Sequence, residues 1–465
     1  MQLLLFGVTI VATRVLSIEA FGAYALASLF VILARALFYV GPYEYLLKSQ
    51  HESDLYSACF GANVVLAVFS CLILTAFYFA APHIFQTDNV SMLVALLTPS
   101  IFLVATTAWY EAVLLRAVRV RRYYLSNLAG DVAGSAAAVA LLLDGFGVAS
   151  LVVQTYVRLL VLLAIYVFST SDRPHLGAGL GRIGTVLRWS RTRYAAVLLN
   201  FTSAYGADMV LGATLTPAVT GLYRASNRIV SALTDLFAQP LQKIAQTNLS
   251  ATYVREQPLG TSWLTMLSGV GAIAWAGLLT LAFLADDLVP FALGAKWAPA
   301  VPIVIVFCIV KAFSMLDAVT TAFLVCHDQQ RMMLRVQIGT AAAVLLLALT
   351  ASPWGPVAVA IAVGIAMTSI SVIYGIMVWR LSKAEADAIV DLIKTSAPPV
   401  LWVALGLTAL KTLAPAQEGI EAVVTGAAVA ALGFAIGIFS VRHRMLSAIG
   451  SLGHVPGQVQ QAGQS

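Results

Sequence analysis

Two arginines and an aspartate on one predicted helix offer the clearest chemistry in the sequence. Arg224 and Arg228 are four residues apart, and Asp235 follows about two turns later. At 100° per residue these charges share one side of the helix. Guanidinium groups one turn apart are suited to forked hydrogen bonds with phosphate oxygens. Uncharged polar residues extend the same side: Ser231, Gln239, Gln242 and Gln246. We therefore predict a polar stripe that lines a protein interface or a water-filled cavity and could bind an anion.

The alternative is that these arginines only neutralise a neighbouring helix. Asp208 lies on the preceding span at about the depth of Arg228. An ion pair between these two residues, within the helical hairpin, is therefore the alternative interpretation. Charged side chains at membrane depth are costly and usually face the protein interior. A structural pair between Asp131 and Arg158 is expected, because they lie at comparable depth on neighbouring spans. Further candidates at membrane depth are Arg35, Lys311, Glu111 and Asp317.

Several classes of site are excluded by their missing motifs. The four cysteines form no C-x-x-C pair, and all six histidines fall in predicted loops or tails. No G-x-x-x-x-G-K-[ST] sequence is present, and Gly179, Gly181 and Gly184 form a G-x-G-x-x-G pattern without the strand that a dinucleotide site requires. We expect no metal, no cofactor, no ATP hydrolysis and no enzymatic activity.

The elements that position these residues must be membrane helices. Apolar residues make up 60% of the 465 residues and charged residues 10%, against about a quarter charged in a soluble domain. Apolar runs predict an all-α protein of about fourteen transmembrane helices. The predicted spans are 2–16, 21–47, 57–81, 90–115, 123–143, 147–169, 194–214, 221–247, 261–284, 300–326, 336–350, 357–380, 397–413 and 421–440.

Basic residues orient these spans. Eighteen Lys and Arg residues fall on one side of the predicted topology, whereas Arg14, Lys296 and Lys411 fall on the other. Because Lys and Arg collect in cytoplasmic loops, we expect both termini in the cytoplasm. The same bias explains the net charge of +6 without nucleic acid as a partner. The first span is short, and we expect its helix to begin before Met1.

The sequence contains an internal repeat. Leu16–Tyr24 and Leu215–Tyr223 both read L-[ST]-x-x-x-x-G-x-Y, and a second match relates residues 122–149 to 331–358. Since six spans separate the partners, the two halves should be related by an axis along the membrane normal. We predict an N-terminal lobe (1–169), a basic cytoplasmic linker (170–193), a C-terminal lobe (194–380), two accessory spans (381–440) and a cytoplasmic tail (441–465).

Short motifs distributed over nearly the whole chain resemble a known family. They are Phe21-Gly22-Ala23-Tyr24, Gly145–Val152, Asp208–Gly212, Gly221–Ala225 and Gly294–Ala300. In this order and spacing they resemble the polysaccharide transporters, or Wzx-type lipid-linked oligosaccharide flippases, of the multidrug/oligosaccharidyl-lipid/polysaccharide exporter (MOP) superfamily.

The resemblance implies a two-lobed carrier of the bacterial inner membrane. Its cargo would be an undecaprenyl-diphosphate-linked oligosaccharide for exopolysaccharide, capsule or O-antigen, moved by alternating access. The implied diphosphate-binding residues are Arg35, Arg224, Arg228 and Arg14. The candidates for ion coupling or gating are Asp208, Asp235, Lys311 and Asp317, with H⁺ or Na⁺ as the ion. Implied partners are the polymerase and the chain-length regulator of the pathway.

Two other function classes stay open. A multidrug/cation antiporter of the same superfamily would favour an acidic cavity and would depend on Asp208 or Asp235. A polytopic membrane glycosyltransferase or polymerase would need a large outer loop with catalytic acids. The longest predicted outer loop, 285–299, carries only Asp286 and Asp287.

Overall fold

The computed structural model describes residues 2–49, 53–177, 181–254, 259–382, 386–414 and 419–453, and within them it contains helices and no strand. The apolar runs form helices because a membrane-embedded backbone must satisfy its hydrogen bonds within each segment. The helices are α1 (Gln2–Val15), α2 (Ile18–Val40), α3 (Pro42–Lys48), α4 (Ser53–Phe85), α5 (Asp88–Leu97), α6 (Ser100–Arg116), α7 (Val120–Leu143), α8 (Ala149–Ser169), α9 (Ile183–Thr214), α10 (Pro217–Val254), α11 (Leu259–Phe283), α12 (Ala285–Leu293), α13 (Val301–Ser314), α14 (Asp317–Cys326), α15 (Gln330–Ala351), α16 (Pro356–Ser382), α17 (Ala386–Leu413) and α18 (Gly419–Gly453).

The all-helical membrane fold is confirmed. Among the described residues, eleven helical segments are long and apolar enough to cross a membrane. Three predicted spans fall outside that group: α1 is short, and α9 and α10 are long but too polar. The count of fourteen therefore stays a prediction.

Parts of two segments predicted as loops, 170–193 and 285–299, are helical in the structure. Residues 183–193 form the first third of α9, where Val186 and Ser190 are buried. Residues 285–293 form α12, and Ala295–Ala300 form a 3₁₀ turn. Gly184 lies in the first turn of α9, whereas Gly179 lies outside the described residues.

The chain forms two compact units, which are described separately. Unit 1 comprises residues 1–229, 292–303 and 334–366, and unit 2 comprises 230–291, 304–333 and 367–465. In unit 2, α17 and α18 pack along each other and on α11. A small core of Ala276, Val403, Leu407 and Ala430 joins these helices. The predicted division into lobes, linker and tail stays a prediction.

In unit 1 the two repeat motifs meet in space. A Cβ on Gly22 would lie 1.8 Å from the Pro217 oxygen, and a Cβ on Gly221 would lie 2.6 Å from the Ile18 oxygen. Ile18 and Pro217 occupy the same position in the two motifs, so the contact is reciprocal, as at a two-fold axis. Only glycine permits this approach of α2 and α10, as small residues do at other membrane-helix crossings.

A third motif, Gly294–Ala300, packs against this crossing. Trp297 is fully buried, its ring meets Phe21 edge to face at 5.4 Å, and its Nε1 donates to the Thr13 oxygen at 2.9 Å. The Lys296 ammonium donates to the Leu16 oxygen at 2.5 Å and to the Arg14 oxygen at 3.1 Å. The 3₁₀ turn is thereby fixed to the α1–α2 turn.

At the opposite end of the same bundle, three arginines converge on the C-terminus of α8. Arg119 and Arg122 both donate to the Ser169 oxygen, at 2.7 and 3.1 Å. Arg173 donates to the Thr170 oxygen at 2.7 Å and to the Val167 oxygen at 3.0 Å. The last carbonyls of a helix lack intrahelical partners and carry negative partial charge, so these guanidinium groups cap the helix.

Candidate functional site

Unit 1 encloses a cavity of about 380 Å³ between α1, α2, α6, α8 and α10. Three of the four arginines predicted to bind substrate line it, namely Arg35, Arg224 and Arg228. Arg158 and Glu111 also line it, so the charged lining comprises four guanidinium groups and one carboxylate. The neutral polar residues of the wall are Thr9, Tyr24, Ser28, Tyr39, Thr107, Gln154 and Thr155.

The arginines occupy different depths. Because α2 and α10 cross at Gly22 and Gly221, the rise of each helix can be counted from that point. Arg224 lies about 5 Å and Arg228 about 10 Å along α10, whereas Arg35 lies about 20 Å along α2, at 1.5 Å per residue. We call the Arg224 and Arg228 level the outer level and the Arg35 level the inner level.

At the outer level, Arg224 is tied to α9. Its guanidinium lies 3.7 Å from Asp208 Oδ2 and 4.5 Å from the centre of the Tyr205 ring. Asp208 is 1% exposed, and neither carboxylate oxygen has a hydrogen-bond partner among the described residues. The sequence alternative paired Asp208 with Arg228, but the ion pair forms with Arg224. Asp208 lies seven residues before Leu215 and Arg224 lies seven residues after Pro217, so the hairpin places them level.

At the inner level, two carboxylates face two arginines. Arg158 Nε lies 2.5 Å from Asp131 Oδ1, which confirms the pair expected from the sequence. Glu111 Oε1 accepts a hydrogen bond from the Tyr166 hydroxyl at 3.2 Å, and that hydroxyl accepts one from Asn127 Nδ2 at 3.1 Å.

Arg35 forms a different contact at this level. Its guanidinium lies 5.1 Å from the centre of the Tyr39 ring. The side chain lines the cavity and is exposed, it is in hydrogen-bonding contact with the Tyr39 hydroxyl, and it forms no ion pair with a carboxylate of the described residues. It is therefore a cation held mainly by an aromatic face.

Arg14 does not line the cavity. It is exposed at the end of α1, where its Nε donates to the Ala292 oxygen at 3.2 Å. The structure thus brings Arg35, Arg224 and Arg228 to one cavity and places the fourth predicted residue in the turn beneath Trp297.

The remaining candidates for ion coupling lie in unit 2. Asp317, at the start of α14, accepts a hydrogen bond from Ser371 at 2.8 Å, and its Oδ1 is buried without a hydrogen-bond partner among the described residues. Lys311 lies within electrostatic range of Asp235. Of the remaining stripe residues, Gln242 and Gln246 are exposed, and the side chain of Gln239 lies outside the described part of the chain.

No group of His, Cys, Asp and Glu residues that could hold a metal ion occurs in the described ranges.

Comparison with known proteins assigns the family. Residues 11–302 match the model of a family described as polysaccharide biosynthesis protein. The chain is a member of that family. The match covers the whole of α2 to α12 and therefore every arginine of the cavity, and it confirms the resemblance to polysaccharide transporters. With eleven apolar segments long enough to span a membrane among its described residues, this family member is a multi-pass membrane protein.

One curated relative adds a pathway context of its own. The succinoglycan biosynthesis transport protein ExoT of Rhizobium meliloti (strain 1021) is 26% identical over 222 residues, which are 48% of this chain. The match covers 45% of that relative's length.

Solved structures show the fold. A lipid II flippase MurJ in an inward closed conformation superimposes with a TM-score of 0.74 over 95% of this chain and 97% of that chain, at 13% identity. An inward-facing multidrug resistance MATE transporter of the MOP superfamily gives 0.65 over 83% and 96%, at 14% identity. The family member thus has a MurJ- and MATE-like fold, and the relatives it matches are transporters rather than enzymes.

Proposed function

We propose that this protein is a flippase that moves undecaprenyl-diphosphate-linked oligosaccharide units from the cytoplasmic to the outer leaflet of a bacterial inner membrane. The observation that carries the proposal is the cavity of unit 1, where four guanidinium groups and one carboxylate face the same space. A diphosphate diester carries two negative charges, and arginine forks bind phosphate oxygens in bidentate geometry.

The three parts of such a cargo need three environments. The diphosphate requires the arginines, with Arg35 at the inner level and Arg228 with Arg224 at the outer level. The sugars require hydroxyl and amide partners, which Ser28, Gln154 and Thr155 offer. The polyprenyl chain is as apolar as the bilayer and stays in it.

Directional transport requires an energy source, and we expect an ion gradient or the membrane potential to provide it. The candidate coupling groups are Asp208, Asp235, Lys311 and Asp317, with H⁺ or Na⁺ as the ion. Asp208 is favoured by its contact with Arg224, because a change in the charge of the carboxyl would release or retain that guanidinium. Cytoplasmic termini, and the polymerase and chain-length regulator as partners, belong to the same proposal.

The charge of the cavity separates this proposal from its rivals. A drug or cation antiporter would require a net acidic lining, whereas the lining here is basic. A glycosyltransferase would require catalytic acids in a sizeable outer loop, whereas residues 285–293 form a short helix with two acids, one of which accepts a hydrogen bond from Gly419 N at 3.1 Å.

The test is transport in proteoliposomes. A fluorescently labelled prenyl-diphosphate disaccharide is placed in both leaflets, and its movement is followed by the loss of signal to a membrane-impermeant quencher. The wild-type protein should accelerate exchange, and the Arg35→Ala/Arg228→Ala variant should reduce the rate at least a hundredfold. The matched control is Arg14→Ala, an arginine outside the cavity.

Normal transport by the double variant, at unchanged protein content, would sink the proposal. Competition offers a second discrimination, because a diphosphate should inhibit exchange and a cationic dye should not. Inhibition by the dye alone would favour the antiporter.

A further inference from the structure

Glu111 is a buried carboxylate at the inner level for which the proposed function so far gives no role. It is 1% exposed and lines the cavity from α6. Its Oε1 accepts the Tyr166 hydrogen bond, whereas Oε2 is buried and has no hydrogen-bond partner among the described residues. A buried carboxylate oxygen without a hydrogen-bond partner is costly, so the presence of Glu111 beside an anion site requires an explanation.

The groups around Glu111 leave one cation for it. Arg158 is within electrostatic range of Glu111, but its direct partner is Asp131 at 2.5 Å. Arg35 is also within electrostatic range, and no ion pair of 4 Å or less joins it to Glu111. Tyr39 on α2 is in hydrogen-bonding contact with both Glu111 and Arg35 and so lies between them. The other neighbouring uncharged groups are Tyr43 on α3, Tyr123 and Asn127 on α7, and Tyr166 on α8.

This arrangement balances the charge of Arg35 without a direct ion pair to Glu111. The nearby negative charge offsets the guanidinium, while the N–H groups that do not contact Tyr39 can bind an anion in the cavity. An incoming phosphate would gain those hydrogen bonds, but it would have to replace Glu111 as the counter-anion of the guanidinium. The carboxylate is therefore placed to oppose the anion that Arg35 attracts.

We propose that Glu111 is an internal counter-anion that competes with the cargo diphosphate for Arg35. It stabilises Arg35 when the cavity is empty, weakens diphosphate binding at the inner level and thereby promotes release of the cargo. Glu111 is a positioning residue in this scheme, since it acts on the cargo through Arg35. The inference rests on the proposed function, because it requires that a diphosphate binds in this cavity.

The test is binding of geranyl diphosphate to the purified full-length protein, measured by calorimetry. Glu111→Gln removes the charge and keeps the shape, so affinity should rise on the order of tenfold, while the rate of transport in proteoliposomes falls. Glu111→Asp keeps the charge and should bind like the wild type. Tyr166→Phe removes only the hydrogen bond and should change affinity less than twofold.

A double-mutant cycle isolates the coupling. In an Arg35→Gln background, which should itself bind more weakly, Glu111→Gln should have less than a third of its effect on the logarithm of the affinity. If the role of Glu111 were only structural, Glu111→Gln would lower the unfolding temperature of the protein and would not raise its affinity for geranyl diphosphate. Unchanged or weaker binding by Glu111→Gln would overturn the inference alone. Absence of geranyl diphosphate binding to the wild type would overturn the proposed function and this inference together.

Discussion

α2 and α10 begin with the same sequence pattern and cross at the same pair of glycines, but they differ in the side chains that reach the cavity. Arg224 and Arg228 of α10 correspond in the repeat to Ala25 and Leu29 of α2. Arg35 of α2 corresponds to Thr234. α2 belongs to one of the eleven apolar segments that could span a membrane, whereas α10 is too polar to be one of these segments.

The difference shows that two repeats can share the glycine contact between them and still place different side chains in the cavity wall. The glycine crossing requires the same residue on both helices, because each backbone occupies the space of the other's Cβ. The cavity wall has no such reciprocal constraint, so one helix supplies cations at the outer level and the other at the inner level. The proposed cargo is itself asymmetric, with a charged diphosphate between a lipid and a sugar, and an asymmetric wall suits it.

The largest effect should come from breaking the shared contact. Gly22→Ala should destabilise the protein by about 3 kcal/mol, the upper end of the usual cost of overpacking, because the clash is with rigid backbone atoms. Gly221→Ala should behave alike, because the contact is reciprocal. Thermal unfolding in detergent measures both.

The matched control for the glycines is Gly339→Ala in α15, where a Cβ would meet nothing within 4 Å. Removing a mid-helix glycine there should leave stability unchanged or raise it by up to about 1 kcal/mol. Equal behaviour of Gly22→Ala and Gly339→Ala would show that the crossing is not close-packed.

A second prediction separates the arginines of the two helices. Arg224→Ala leaves the buried Asp208 without its ion pair and should cost about 3 kcal/mol, whereas Arg35→Ala breaks no direct ion pair and should cost less. Adding Asp208→Asn to Arg224→Ala should recover most of the lost stability. Failure of that rescue in chemical unfolding would contradict the assigned pair.

A third prediction concerns the motif above the crossing. Trp297→Phe removes the hydrogen bond to the Thr13 oxygen and should cost about 1 to 2 kcal/mol. Trp354→Phe is the control, since that indole is 76% exposed. Equal melting temperatures for the two variants would argue against Trp297 as an anchor.

The smallest effect is expected for Arg14→Ala. Its side chain is exposed and outside the cavity, so transport should stay within twofold of the wild type, with a loss of at most about 1 kcal/mol from its hydrogen bond to Ala292. A loss of transport as large as that of Arg228→Ala would return Arg14 to the substrate-binding group.

Much of the fold was predictable because hydrophobicity dominates it. Apolar length predicts the helices, and the repeat predicts that Gly22 and Gly221 are related. Composition misled where polar helices occur: residues 183–193 carry Arg188, Arg191 and Arg193, which favour a loop, yet Val186 and Ser190 on the other face are buried.

The site was predicted in part. The stripe on α10 identified Arg224 and Arg228, but periodicity on one helix gives no depth relative to Arg35 on another. The partner of Asp208 was resolved only by the exact position of the turn. Glu111 was recognised as a buried acid, but its neighbours come from α2, α3, α7 and α8, and no spacing in the sequence relates those four helices.

The arginine cap of α8 gives the loop charges a second meaning. Arg119 precedes α7 and Arg122 lies in its first turn, so the positive-inside rule predicts a cytoplasmic position for this end of α7 before α8 is synthesised. Once α8 and Arg173 have been synthesised, the three guanidinium groups donate hydrogen bonds to the last carbonyl oxygens of α8. Substituting all three by lysine would preserve their positive charge but would remove the guanidinium N–H groups that donate to these carbonyls. The same arginines thus serve first as a topology signal during membrane insertion and then as a cap of α8 in the folded protein.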